Sequence, residues 1–289
     1  MVVNKKTDRK NITNYDDLDC PLSKALMRDS INQATLNVID ELQVLESVSS
    51  TNDILLNTQP LPQGRFNVCI ANQQTAGRGR NGKSWQSPPD ANVYISVGAV
   101  LSIDLLEKLS GLSLACGVAL SRLLRAMKIK AGIKWPNDIL IDDKKLAGIL
   151  VETRLQSKQV YVVVGVGFNI KVPMQAATKI DQPWIDLGAL LTDNVLPLNR
   201  NELAAKLLMT LIKTLQQFAV SGFDSFAADW QRFEVLTGRN VVIKSGTKET
   251  NGRVLGFNED HSLKIEIDQQ EKNFYAADIK LKVVENASD

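Results

Sequence analysis

The run Val160-Tyr161-Val162-Val163-Val164-Gly165-Val166 limits the fold more than any other stretch of the chain. β-Branched side chains lose rotamer freedom in a helix and pack well on a pleated surface. The run is continuous rather than alternating, so the strand it forms should be buried on both faces. A sheet with covering layers is expected, and 289 residues suffice for a sizeable core in one large or two unequal domains.

Other segments take their places around that strand. Residues 1–20 are polar and read as a tail, and the loose apolar spacing from Leu22 to Leu36 suggests a short helix. Strands are expected over 39–45, 66–71 and 91–101. Ser49-Ser50-Thr51-Asn52-Asp53 closes the first of them and reads as a helix N-cap. Asp104-Leu105-Leu106-Glu107 resembles a capping box. Behind it, Leu105, Leu109, Leu112, Cys116, Ala119, Leu123 and Met127 recur three or four apart, as on an amphipathic helix. A hairpin is expected over 139–152, turning at Asp142-Asp143-Lys144, with Pro136 at a strand end because it cannot donate a ladder bond. Helices follow over 199–218 and 223–233. Five short runs (241–244, 253–257, 263–267, 274–276 and 279–284) then read as a small C-terminal β-barrel. The expected divisions are a tail and connector at 1–37, a main domain at 38–235 and the barrel at 236–289.

Between two of the strands lies Gln74-Thr75-Ala76-Gly77-Arg78-Gly79-Arg80-Asn81-Gly82-Lys83-Ser84-Trp85. Its glycines let backbone approach a ligand closely. Arg78, Arg80 and Lys83 have no acidic neighbour in sequence, and arginine forks bind phosphate or carboxylate oxygens in pairs. The loop is suited to fold over an anion, moving when empty and ordering over its ligand. Gly165-Val166-Gly167-Phe168-Asn169 lacks the third glycine and the following helix of a dinucleotide fingerprint.

Composition narrows the chemistry. A formal charge of +2 does not suggest a dedicated nucleic-acid binder, and no apolar run has membrane length. No signal-peptide core is visible, and Cys20, Cys69 and Cys116 read as reduced thiols of a cytoplasmic protein. His261 is the only histidine and lies in a polar turn, which argues against serine–histidine or cysteine–histidine catalysis.

Taken together, five motifs resemble the biotin protein ligases, also called biotin–acetyl-CoA-carboxylase ligases. They are Ser-Thr-Asn at 50–52, the Gln74–Trp85 loop, Lys-Trp-Pro-Asn-Asp at 134–138, Lys-Leu-Ala-Gly-Ile-Leu-Val-Glu at 145–152 and Gly-x-Gly-x-Asn at 165–169. The resemblance covers roughly 38–285. It implies an α+β fold: a mixed β-sheet flanked by helices, like class II aminoacyl-tRNA synthetases, with a small C-terminal β-barrel domain. It implies two substrates, biotin and ATP, with Mg²⁺, giving biotinyl-5′-AMP and then biotin on a lysine of the biotin carboxyl carrier protein. Many bacterial members begin with a DNA-binding winged helix-turn-helix. Fewer than fifty residues precede Ser50 here, and they resemble only the connector after that domain, so DNA binding is not expected. Homodimers pairing sheet to sheet are compatible with the resemblance.

By the same resemblance Lys145, Arg80 and Arg78 are the catalytic candidates. Biotin falls to Ser50, Thr51, Asn52, Gln74, Gly77, Arg78, Gly79, Arg80, Lys145, Gly148 and Gly165. The nucleotide falls to Arg80, Trp85, Asn137, Asn169 and Trp184, and Mg²⁺ to Asp138. Asn52 reads equally as a helix cap, and Trp85 equally as core. Lys134 and Trp135 carry more structural than chemical weight, while Gly148, Gly165 and Gly167 mark close backbone approach to the ligand. Lipoate–protein ligases share the two-step logic, a nucleic-acid-binding regulator is the rival of another class, and a biotin binder without catalysis is a third.

Overall fold

A computed structural model of the chain describes residues 18, 20–59, 61–156, 158–190, 199–245, 248–276 and 280–283. The expected polar tail and the end of the last expected strand therefore lie largely outside the described residues.

The region expected as one helix is two, α1 (Lys24–Ser30) and α2 (Gln33–Val38), because Asn32 interrupts it and caps α2 by accepting from the Thr35 amide. Then come β1 (Ile39–Val48), α3 (Thr51–Leu56), β2 (Phe66–Gln74) and β3 (Asn92–Ser102). The capping box at Asp104 does not form. Ser102 caps instead, accepting from the Asp104 amide, and starts a 3-10 turn over Ile103–Leu109. The long helix α4 (Ser110–Ala126) begins after that turn. A three-residue strand that the sequence reading lacks, β4 (Gly132–Lys134), precedes the expected hairpin of β5 (Asp138–Ile141) and β6 (Lys144–Gln156). Pro136 lies in the turn between β4 and β5. After β7 (Gln159–Asn169) come α5 (Met174–Ala177), α6 (Arg200–Ser221) and α7 (Asp224–Phe233).

Seven strands form one sheet in the order β1-β2-β3-β7-β6-β5-β4. Only β1 and β2 run parallel, so the sheet is mixed. The valine-rich strand β7 lies at its centre, antiparallel to β3 and β6. Its two faces enter different cores. Val160, Val162, Val164 and Val166 join the main cluster with α4 and α6, whereas Tyr161 and Val163 join Leu55, Cys69 and Val100 on the α3 side. Burying each such side chain is worth roughly 1.5–3 kcal/mol, which explains why a run without alternation is stable here. Helix α6 is the one described helix long and apolar enough to cross a membrane, but its Leu203, Leu207, Leu208, Leu211 and Phe218 are fully buried in this core.

A second sheet follows, built from β8 (Asn240–Ser245), β9 (Lys248–Phe257), β10 (Leu263–Ile267), β11 (Gln270–Phe274) and β12 (Lys280–Val283). Five strands are present; β9 begins earlier than the expected run, and β11 shares only Phe274 with the run expected over 274–276. All pairings are antiparallel in the order β11-β10-β9-β8-β12, and among the described residues β11 and β12 are not bonded to each other. This sheet docks on the first unit. Trp135 Nε1 donates to the His261 carbonyl at 3.0 Å, and Trp230 meets Phe257 edge-on with centroids 5.0 Å apart.

Candidate active site

A cavity of about 480 Å³ opens where the ends of β6 and β7, the start of α3 and the glycine–arginine loop converge. Of the expected site residues, every one except Gly77 lines it. A Cβ on Gly77 would lie 2.6 Å from Ser87 Oγ and 2.7 Å from the Trp85 carbonyl, so that glycine keeps the loop compact.

One wall is polar and buried. Ser50 precedes α3 and its carbonyl accepts from the Ile54 amide, but its side chain makes no capping bond. Thr51 donates its amide to Gln74 Oε1 at 2.9 Å, and Gln74 Nε2 donates to Ser87 Oγ at 3.1 Å. Ser96 Oγ lies 2.7 Å from Thr51 Oγ1 and 2.6 Å from Asn52 Oδ1. Asn52 does not cap the helix. Its Nδ2 donates to Glu152 Oε2 at 2.7 Å. The sequence reading gave Glu152 no role beyond closing the 145–152 motif and did not single out Ser96, although a serine amid the apolar residues at the centre of β3 was a usable signal.

The loop folds back on itself. The Gly79 amide donates to the Lys83 carbonyl at 2.7 Å and the Trp85 amide to the Gly77 carbonyl at 2.8 Å, while Asn81 and Gly82 turn through positive φ. The backbone N–H groups of Gly79 and Trp85 are therefore spent within the loop. Arg78, expected to stand without an acid, is bracketed by Asp53 at 2.5 Å and Glu152 at 2.9 Å. Those carboxylates come from α3 and β6, and the bond to Asp53 is the main reason its guanidinium is held more firmly protonated than usual. Arg80 is different. Burial lowers its pKa against the pull of Asp138, and its Nη2 donates to the Ala276 carbonyl of the second unit at 2.5 Å.

Lys145 reaches the cavity through a bulge. Between β5 and β6 the register slips so that Ile139 faces Ala147 but Leu140 faces Lys145. A bulge places two successive side chains on one side. Leu146 and Ala147 are both fully buried in the core, which leaves Lys145 and Gly148 on the cavity side. Lys145 Nζ is 2.7 Å from Asp138 Oδ1 and 5.0 Å from the Trp85 ring centroid. The Lys145 backbone also binds the segment after Pro183, bringing Trp184 alongside. Lys134, cross-strand partner of Asp138, lines the same cavity. Its pKa is lowered chiefly by burial, with Lys145 and Lys83 adding repulsion and Asp138 opposing. The sequence reading gave this lysine more structural than chemical weight; the structure places it in the cavity lining.

Other expected site residues also make contacts within the protein. Asn137 Nδ2 donates to the Ile149 carbonyl at 2.7 Å, and Asn169 Nδ2 reaches the carbonyls of Lys145 and Ile185. Both amides hold the cavity wall in place. Gly165 and Gly167 were expected to admit a ligand, yet a Cβ there would lie 2.2 Å from Asn52 Oδ1 and 2.3 Å from Trp85 Cε2 respectively. Their space is taken by protein. Away from the cavity, burial pushes the Cys69 and Cys116 thiols up to about 12, which makes both unreactive.

Six cationic side chains, Arg78, Arg80, Lys83, Lys134, Lys145 and Lys179, line the cavity together with the polar wall, and no histidine is among its lining residues. Residues 44–169 match the model of the biotin/lipoate A/B protein ligase family. The chain is 35% identical over 260 residues to the bifunctional ligase/repressor BirA of Salmonella typhimurium, covering 89% of this chain and 76% of that one. It is 33% identical over 238 residues to the biotin–[acetyl-CoA-carboxylase] ligase of Mycobacterium tuberculosis, covering 81% and 85%. Among solved structures it is similar to the biotin protein ligase of Aquifex aeolicus in complex with biotin and ATP, at 25% identity and a TM-score of 0.68, over 85% of this chain and all of that one.

Proposed function

The chain belongs to the biotin protein ligases of the biotin/lipoate A/B protein ligase family, and from that membership we infer how its cavity works. It is an ATP-dependent ligase that joins biotin to protein by way of an adenylate. The biotin carboxylate attacks the α-phosphate of ATP and releases pyrophosphate, and a lysine amine of the biotin carboxyl carrier protein then displaces AMP. No protein nucleophile is needed. Holding two mutually repelling anions in line and stabilising the charge that develops must supply the acceleration.

The observation that carries this reading is the placement of Lys145, turned by the bulge into a cavity it shares with Arg80 and Lys134. Lys145 and Arg80 approach the carboxylate and α-phosphate in this scheme. The Ser50–Asn52 and Gln74 wall receives the fused cyclic urea of biotin. Trp85 and Trp184 flank the adenine side. Among the described residues no three His, Cys, Asp or Glu gather as a metal site. Mg²⁺ in this scheme would be held by Asp138 and phosphate oxygens, where it would neutralise phosphate charge. Three free thiols, of which Cys69 and Cys116 are buried, support a cytoplasmic setting.

The test is incorporation of labelled biotin into an apo biotin carboxyl carrier domain, with ATP and Mg²⁺, wild type beside Lys145→Ala. Wild-type transfer that falls at least a hundred-fold in the variant is expected, since loss of one electrostatic stabiliser costs about that much. Transfer of lipoate but not biotin would move the chain to the other branch of its family.

A further inference from the structure

The glycine–arginine loop is a narrow turn bonded to itself. Gly77 and Gly79 on its outgoing limb bond to Trp85 and Lys83 on the returning one, and Arg78 faces Ser84 across it. Its stem is pinned where the Thr75 and Ala76 amides donate to the Val48 and Ser49 carbonyls. Beyond the stem, from Gly77 to Ser84, two side chains supply every hydrogen bond to another segment among the described residues. They are Arg78 and Arg80. Arg80 reaches the Ala276 carbonyl of the second unit, and in the ligase scheme the same guanidinium serves the carboxylate and the α-phosphate. Once those anions take it, Arg78 alone tethers the loop. Arg78 is gripped from two elements: Nη1 by Asp53 in the first turn of α3, and Nη2 by both oxygens of Glu152 in β6 at 2.9 and 3.0 Å. Glu152 also accepts from Asn52 Nδ2 at 2.7 Å, whereas among the described residues the Asp53 carboxylate has no side-chain partner but Arg78. Neither acid lines the cavity; Arg78 does.

We propose that Asp53 is a positioning residue for the ligase reaction: through Arg78 it draws the glycine–arginine loop against α3 and holds it there while the adenylate is bound. Arg80 and Lys83 stand on the same loop, so this tether sets where those cations meet the anions. It also slows escape of the adenylate, as a closed lid does. Arg78, expected as a catalytic residue, is the loop end of the tether and does not act on the reacting atoms. The ion pair is partly exposed, its side chains 37% and 32% accessible, so its contribution is modest and screened by salt. The retention half of the proposal rests on the adenylate reading. Loop motion is measured without ligand, so the two can fail separately.

Hydrogen exchange of the loop amides is followed in ligand-free wild type, Asp53→Asn, Asp53→Glu and Arg78→Gln, with strand β10 as the control and thermal midpoints recorded. Asp53→Asn and Arg78→Gln should each speed exchange in the loop about five-fold and leave β10 unchanged, while Asp53→Glu, which keeps the charge, should stay closer to wild type. The half-life of enzyme-held labelled biotinyl-5′-AMP is then measured by chase with unlabelled adenylate. Asp53→Asn should shorten it about five-fold. Because Asp53 acts through Arg78, the double variant should lose no more than Arg78→Gln alone. Unchanged loop exchange in Asp53→Asn would overturn the proposal. So would a further five-fold loss from Asp53→Asn in the Arg78→Gln background, which would leave Asp53 only a first-turn acid of α3. If Asp53→Asn lowers the midpoint, Arg78→Gln must by itself show the loop-confined rise, and its absence overturns the proposal too. Wild type that forms no adenylate would strike the ligase reading instead, and the ligand-free exchange would still decide the tether.

Discussion

Lys134 is where burial and charge conflict most directly. A half-buried ammonium beside Lys145 and Lys83, with Asp138 already engaged by Lys145, destabilises the folded chain unless an anion joins it. Replacing such a charge with an apolar side chain of similar volume is often stabilising. Lys134→Met should stabilise the protein by about 1 kcal/mol in urea titrations, while lowering kcat/KM for ATP more than ten-fold. A variant that is both more stable and fully active would remove Lys134 from phosphate handling. Its site was only partly legible from sequence. The motif around Lys145 marked the lysine, but the bulge that turns it inward depends on pairing with β5. The acids on Arg78 lie 25 and 74 positions away, beyond any local reading of charge. Gly165 and Gly167 announced close approach, but not that Asn52 and Trp85 are what approaches.

At the scale of elements, periodicity was informative where burial is one-sided or complete. Strand β7 could be read directly because both its faces enter cores, and α6 because its leucines recur on one face. Short elements escaped. β4 has three residues and takes its identity from β5, and the split between α1 and α2 turns on the single side chain of Asn32. Burial also sets the cost of substitution. Val164→Ala in β7, fully buried, should lose about 2 kcal/mol through lost apolar area and the space left behind. Leu155→Ala, at 63% exposure on neighbouring β6, should stay within about 0.5 kcal/mol. Equal losses in chemical denaturation would contradict the assignment of the helix-covered face of β7 to the main core.

Across the whole molecule, the two units meet at His261. Its ring lies edge-on to Phe223 with centroids 4.4 Å apart and sits against Gly111 of α4, while its carbonyl accepts from Trp135. Burial holds its pKa below the ordinary 6.5, against the opposing pull of Asp260 and Asp224. The folded form refuses a proton that the unfolded chain takes up as pH falls through 6.5. Stability present above that pH is therefore lost on acidification, until the folded imidazole itself titrates. Asn tolerates the positive φ at this position, so His261→Asn is a usable control. The stability gap between wild type and His261→Asn should narrow from about pH 8 to about pH 5.5, and a constant gap would exclude the histidine as the cause. The glycines of β7 carry a further consequence, for how sequences of this kind can diverge. Each is locked to a side chain from a distant segment, Gly165 to Asn52 and Gly167 to Trp85. Single-site mutational scans should record all four positions as intolerant. Libraries that vary 165 with 52, or 167 with 85, should recover viable pairs in which a methyl group on the strand is matched by a smaller partner. Lineages would cross such valleys by paired substitution, so the positions should co-vary rather than drift independently.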